Sequence, residues 1–274
     1  MPNTEKVDLR GAAATLLMTL YMRRVDARSR RPILGDPWAE PLWDRITHDV
    51  HGLWQFTGDV SAIACRAAIL DRWTREFLSA TPDGQVLHLG CGLDSRPLRV
   101  GVPPTCRWLD VDQPGVVDVR RRVYGDDLPD SVEQVPLDLT ADDGWPALDA
   151  DRPTLVVAEG LFMYLPGETV HGIVDRVVSG TPDATLAFDA AAPWTVRVSR
   201  WTPTFRAVGT EFRWAWDPAG FAHRHPELTE RDDVSVYDEV SLREPRVWLR
   251  PLLSAAGHVP AMQDALRLHR FATG

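Results

Sequence analysis

The spacing of apolar and polar positions changes character twice along this chain. From Leu9 to about Ala80 it is helical: Leu9–Val25 is rich in Ala, Leu and Met, and Asp59–Leu78 repeats apolar residues at helical intervals around Asp71 and Arg72. Pro32, Pro37 and Pro41 punctuate the stretch between. From Thr81-Pro82-Asp83-Gly84 onward, short apolar runs alternate with helical stretches. Strands are predicted at Gln85–Leu89, Arg107–Val111, Glu133–Leu137, Thr154–Glu159 and Ala184–Asp189, and helices at Pro114–Tyr124 and Gly167–Val178. Such alternation argues for an α/β fold, a mainly parallel sheet covered by helices on both faces. After Asp189 the pattern breaks again. Pro193–Pro226 holds Trp194, Trp201, Trp214 and Trp216 with Phe205, Phe212 and Phe221, and arginines lie among them. A long aromatic stretch between sheet elements reads as a cap over a pocket rather than as a linker. A helix at Pro245–Ala256 and a last strand at Ala265–Phe271 complete the pattern.

Composition narrows the chemistry. A chain of 274 residues fits one elaborated domain as well as two, and is long enough to bury a core without staples. A net charge of -9 argues against nucleic acid as a partner, because displacing counterions from phosphates needs a basic stripe. No uncharged run approaches the roughly 20 residues of a membrane span, and Glu5 and Asp8 stand where a signal peptide would be basic. The expectation is a cytoplasmic protein without membrane attachment. Cys65, Cys91 and Cys106 are isolated, which disfavours a disulfide framework or a Cys-rich zinc site, and His48 with His51 completes no metal site. The only lysine is Lys6, so a Walker-A loop or a Schiff-base lysine is not expected.

Four successive strands deliver polar or flexible residues to their carboxyl ends, where open α/β sheets bind ligands. Gly90-Cys91-Gly92 follows the first strand; a dinucleotide fingerprint would need a third glycine at Ser95. Asp112 ends the second strand, about 20 residues past the glycines, where an acid can hold a ribose hydroxyl pair. Asp110 shares its face. A plain turn for the glycines and a helix cap for Asp112 are the competing readings. Asp138-Leu139 follows the third strand and Glu159 ends the fourth. Together they describe a site for a nucleoside bearing an extra polar tail.

The runs VLHLGCGLDSR (Val86–Arg96), WLDVDQPGVVDVRRR (Trp108–Arg122) and PTLVVAEGLFMYLP (Pro153–Pro166) resemble the leucine carboxyl methyltransferase family of S-adenosyl-L-methionine (SAM) enzymes. Thr15–Leu42 and Arg213-Trp214-Ala215-Trp216-Asp217 are similar to its TcmP-like branch, the polyketide O-methyltransferases of bacterial aromatic polyketide pathways. The resemblance implies a Rossmann-like class I methyltransferase with a mostly parallel seven-stranded sheet. It divides the chain into a helical N-terminal cap (1–80) and a SAM-binding core (81–274) with a substrate-cap insertion at about 190–230. It implies that Arg66 pairs with the methionyl carboxylate of SAM and that Gly90 and Gly92 lie under the cofactor. By the same resemblance Asp112 holds the ribose, Asp138 and Leu139 contact adenine, and Glu159 lies near the methionyl amino group. Arg23 falls near a basic family position in the N-terminal cap. His88 departs from the family pattern and reads as a buried, hydrogen-bonded strand histidine.

The expected function is O-methylation of an aromatic polyketide or related secondary metabolite, forming a carboxyl methyl ester. A carboxylic acid, with a pKa of about 4, is already nucleophilic at neutral pH, whereas a phenol near 10 benefits from a general base. His171, His223 and His225 are the candidates near the expected mouth, but none sits in a base motif. Tyr164, Trp214 and Trp216 are the expected acceptor contacts, since aromatic faces suit a flat ring. Hydroxyl methylation, a non-catalytic SAM-fold protein and an NAD oxidoreductase are the alternatives.

Overall fold

The computed structural model describes residues 5–6, 15–47, 60–141, 144–201, 210–237 and 263–274. The expected helix at Pro245–Ala256, Phe205, His48 and His51 lie outside them. The described elements run β1 (Glu5–Lys6), α1 (Thr15–Ala27), α2 (Ala39–Asp44), β2 (Ile46–Thr47), α3 (Val60–Ala80), β3 (Gln85–Leu89), α4 (Arg96–Val100), β4 (Arg107–Asp112) and α5 (Pro114–Tyr124). They continue with β5 (Val132–Pro136), β6 (Thr154–Ala158), a 3₁₀ turn (Phe162–Tyr164), α6 (Gly167–Gly180), β7 (Ala184–Ala191), α7 (Pro193–Ser199), α8 (Pro218–Arg224), β8 (Leu228–Ser235) and β9 (Leu266–Thr273).

Seven strands form one sheet in the order β5-β4-β3-β6-β7-β9-β8. The first five are parallel; β9 runs antiparallel to β7, and β8 antiparallel to β9. This is the α/β, mostly parallel seven-stranded sheet that the resemblance implied. Alternate residues of each central strand feed two cores, as the pleat requires. Val86, Trp108, Leu155 and Val157 pack with Cys65, Ile69, Leu70 and Trp73 of α3 on one face. Leu87, Leu109, Val156 and Leu186 pack with Val170, Ile173, Val174 and Val177 of α6 on the other. A third cluster joins α1 and α2 to α5 through Leu16, Leu20, Leu42, Trp43, Val119 and Tyr124. The turn between α1 and α2 is organised by the buried Asp26 carboxylate, which accepts the N–H groups of Ile33, Leu34 and Gly35 at 2.8, 3.0 and 2.9 Å.

The five parallel strands lie where the apolar pattern puts them, within one to two residues. Strand β8 has no such pattern: LTERDDVS is charged because it pairs on one side only, at the sheet edge. Among the described residues no helix is long and apolar enough to cross a membrane.

Candidate cofactor and acceptor site

At the carboxyl ends of β3, β4, β5 and β6 lies a cavity of about 680 Å³ lined by Arg23, Arg66, Gly90, Gly92, Asp112, Asp138, Leu139, Glu159 and Tyr164. Nine of the positions singled out in the sequence thus meet in one place, although they come from elements far apart in the chain.

The glycine loop is shaped by its backbone. Gly90 adopts φ 61°, in the left-handed region, and a Cβ there would stand 2.9 Å from the Leu161 side chain. Only glycine fits. Asp112 ties this loop to the second strand: its carboxylate accepts the Gly92 N–H at 2.8 Å and the Gln113 N–H at 2.7 Å. Gln113, not Asp112, is the N-cap of α5, so the helix-cap reading of Asp112 is set aside. Burial pushes the Asp112 carboxyl above the usual carboxylate range, and the two backbone N–H groups only partly offset it. Asp110, two residues back on the same face, stays beneath the loop. It accepts from Trp108 Nε1 at 2.8 Å and Arg120 Nε at 3.0 Å and lies 2.9 Å from His88 Nδ1. Arg120 in turn donates to the carbonyls of Gly92 and Asp94 at 3.1 and 2.8 Å. His88 is therefore the buried, paired histidine expected of it.

Glu159 is the centre of a buried ion network. Arg23 of α1 reaches it at 3.0 Å, Arg66 of α3 at 3.2 Å, and Arg96 of α4 bonds its second oxygen. Burial disfavours the charged form, but three guanidinium groups outweigh it and hold the Glu159 pKa at about 2. Arg66 also bonds Asp189 at 3.0 Å, and Asp189 accepts the Gly160 N–H at 2.6 Å. Burial opposes the Arg66 charge as well, and Asp189 and Glu159 reverse the effect, raising its pKa. Asp94 adds a further anion, bonded to Arg23 and Arg99 at 3.1 and 2.7 Å. Gly160 lies against Arg66, whose Nη2 would be 3.1 Å from an added Cβ. Among the described residues Arg23 Nε has no hydrogen-bond partner, although Arg23 is 4% exposed.

Another part of the cavity lining is apolar and aromatic. Met18, Ile63, Met163, Trp194, Phe212 and Tyr237 line it with Tyr164. The Phe212 ring meets Tyr164 edge-on at 5.1 Å. The segment bearing Phe212 is pinned by Arg213 N–H to Met163 O at 2.7 Å and Trp216 N–H to Ala191 O at 2.9 Å. Trp214 and Trp216 do not line the cavity. They belong to an aromatic cluster with Phe188, Phe221 and Phe271 between α6, α8 and the sheet, and Trp194 and Phe212 face the cavity instead. Histidines 171, 223 and 225 do not line it either: His171 Nδ1 pairs with His225 Nε2 at 2.9 Å, joining α6 to the residue after α8, and His223 is exposed.

A family model described as leucine carboxyl methyltransferase matches residues 16–178. The chain belongs to that family. It is 37% identical over 268 residues, 97% of this chain and 98% of the other, to the tetracenomycin polyketide synthesis O-methyltransferase TcmP of Streptomyces glaucescens. It is 31% identical to the S-adenosyl-L-methionine-dependent methyltransferase dpfgK of Gibberella zeae, over 90% of each chain. In fold it is similar to a DUF574 family protein from Streptomyces avermitilis (TM-score 0.60, 14% identity, 97% and 98% of the two chains). The magnesium protoporphyrin IX methyltransferase of Synechocystis PCC 6803, solved with S-adenosylhomocysteine bound, gives a TM-score of 0.50 at 12% identity over 87% and 96%. The chain is a SAM-dependent O-methyltransferase.

The cavity of this methyltransferase fits that cofactor. Asp112 is a desolvated carboxylate whose donors among the described residues are both backbone N–H groups, and it is suited to hydroxyl groups. The unpartnered Nε of Arg23 is suited to a carboxylate. Sequence reasoning missed Asp94, Arg96, Arg99, Arg120 and Asp189. Only Asp189 carried a usable signal, as the acid at the end of the fifth strand, in phase with Asp112 and Glu159.

Proposed function

We propose that this enzyme methylates a carboxyl oxygen of a flat aromatic polyketide or related secondary metabolite, in the cytoplasm. The observation that carries this reading is the junction, in one cavity, of the charged strand-end site and the wall formed by Tyr164, Phe212 and Trp194. The identity to a polyketide O-methyltransferase over almost the whole chain supports the acceptor class. Residues 1–80 would then serve as a helical cap on the SAM-binding core, and 190–230 as the acceptor cap.

SAM supplies an activated methyl group on a positively charged sulfur. The chain's part is to bind and align. Arg66 and Arg23 take the methionyl carboxylate, and Glu159, held ionised by its arginines, faces the amino group. Gly90 and Gly92 bring bare backbone under the cofactor. Asp112 accepts the ribose hydroxyls, which replace the water its burial removes, and Asp138 with Leu139 flanks the adenine. The Asp138 carboxylate is fixed by the Thr140 N–H and hydroxyl at 2.9 and 2.7 Å. Burial pushes the Tyr164 hydroxyl up to about 12. It therefore stays protonated at neutral pH and positions the acceptor by donating a hydrogen bond rather than by removing a proton. Alignment alone can account for several kcal/mol of barrier lowering. With His171 and His225 paired to each other away from the cavity, a carboxylate that needs no base is the acceptor this arrangement favours.

The test is product analysis after incubation with SAM and a panel of aromatic carboxylic acids and matched phenols. The reading predicts alkali-labile methyl esters formed at a rate nearly flat from pH 6 to 9. Alkali-stable ethers, formed at a rate rising with pH, would replace it with hydroxyl methylation.

A further inference from the structure

Three arginines line the cavity among the described residues: Arg23, Arg66 and Arg213. The first two are buried and committed to Glu159. Arg213 differs in every respect. It is exposed, and its side chain makes no ion pair or hydrogen bond among the described residues. Its backbone is nevertheless fixed: its N–H and that of Trp214 both donate to Met163 O, at 2.7 and 3.2 Å, and the Trp214 side chain is sunk in the core at 8% exposure. An exposed arginine on a fixed backbone thus stands in the lining of the cavity beside the apolar Phe212 and Met163. In a protein of net charge -9, an unneutralised cation there attracts anions.

We infer that Arg213 is a specificity-determining residue that selects acceptors carrying a second acidic group, one that stays charged through the reaction. The inference rests on the carboxyl-methylation reading. Transfer of a methyl group to a carboxylate cancels its charge, so a guanidinium paired with the reacting carboxylate would bind the ground state more tightly than the transition state and slow the step. A remote anion on the same ring system has no such penalty. It lets Arg213 orient the acceptor through a planar, two-pronged contact while the reacting oxygen is left free.

The test uses the full chain saturated with S-adenosylhomocysteine, titrated with naphthalene-2-carboxylate and with naphthalene-2,6-dicarboxylate. The wild type is expected to prefer the diacid by about ten-fold, the range of a charge-assisted hydrogen bond at a half-open site. Arg213→Gln should bring the two affinities within two-fold of each other, and Arg213→Lys should restore part of the preference. A variant that had merely lost structure would lose both ligands together with S-adenosylhomocysteine, whose own titration into each variant is run alongside. Failure of the wild type to bind the diacid, an absent preference, or a preference intact in Arg213→Gln overturns the inference. Failure of the underlying reading shows separately, with 6-hydroxynaphthalene-2-carboxylate and SAM: an ether in place of an ester contradicts carboxyl methylation while leaving the Arg213 preference to stand on the titrations.

Discussion

At the strand ends, Glu159 is gripped by Arg23, Arg66 and Arg96, and the anions and cations of α1, α3, α4, β6 and β7 interlock around it. Elsewhere in the lining of the same cavity, Phe212 meets Tyr164 edge-on, Trp194 adds a further aromatic ring, and Arg213 is uncommitted among the described residues. Arg23, Arg66, Arg96 and Glu159 lie within the residues matched by the family model, whereas Trp194, Phe212 and Arg213 lie beyond them. A ligand that never changes can be met by a fixed set of buried charges, each costly to place and worse to strip of its partner. A ligand that differs between relatives is better met by aromatic surface, which tolerates exchange. The two regions therefore respond differently to substitution.

The largest effect is expected from Glu159→Gln. Removing the shared anion leaves three buried guanidinium groups short of a partner, a loss of about 3–5 kcal/mol by analogy with other broken buried pairs. Thermal denaturation and S-adenosylhomocysteine titration should both register it. Next comes Trp214→Ala, at about 3–5 kcal/mol for a buried aromatic truncation; it should lower the unfolding midpoint while leaving the S-adenosylhomocysteine affinity of the folded protein unchanged, because Trp214 packs the core and does not line the cavity. Asp112→Asn should keep the fold and weaken S-adenosylhomocysteine binding by about 1.5–3 kcal/mol, the value of hydrogen bonds to a charged group, as read by calorimetry. Tyr164→Phe should be smallest, raising the acceptor KM about two- to five-fold with the cofactor affinity unchanged, the effect of one neutral hydrogen bond.

Acid separates the regions as well. Glu159 has a folded pKa of about 2 against an ordinary 4.5. A depressed carboxylate contributes stability that is fully present above its unfolded pKa and is lost as pH falls through the folded one. The Glu159 contribution to the denaturation midpoint should accordingly be constant above about pH 5 and decline between 4.5 and 2. In Glu159→Gln that part of the decline should be missing.

The fold was legible in the sequence wherever strands are buried on both faces, since QVLHL, RWLDV and TLVVA admit few other readings. Strand β8 was hidden because an edge strand with one partner keeps its charges. The residues that line the cavity at the strand ends were legible through their phase with those ends and through resemblance. Their supports were not: Asp94, Arg96, Arg99 and Arg120 look like any surface charges until the fold buries them. The tryptophans expected to touch the acceptor misled for a related reason. Trp214 and Trp216 alternate with Arg213 and Ala215 along an extended segment, and sequence alone does not say which side faces the cavity; the Met163 and Ala191 carbonyls that decide it are 50 and 25 residues distant.

The central claim is that one cavity holds the cofactor at the strand ends and the acceptor on the aromatic wall. It is tested most directly by calorimetric titration of the wild type, Asp112→Asn and Phe212→Ala with S-adenosylhomocysteine and then, with that ligand bound, with an aromatic carboxylic acid that the enzyme methylates. The account predicts tight cofactor binding in the wild type, weakened in Asp112→Asn alone, and acceptor binding weakened in Phe212→Ala alone. Cofactor affinity that is indifferent to Asp112, or acceptor affinity that is indifferent to Phe212, would contradict it.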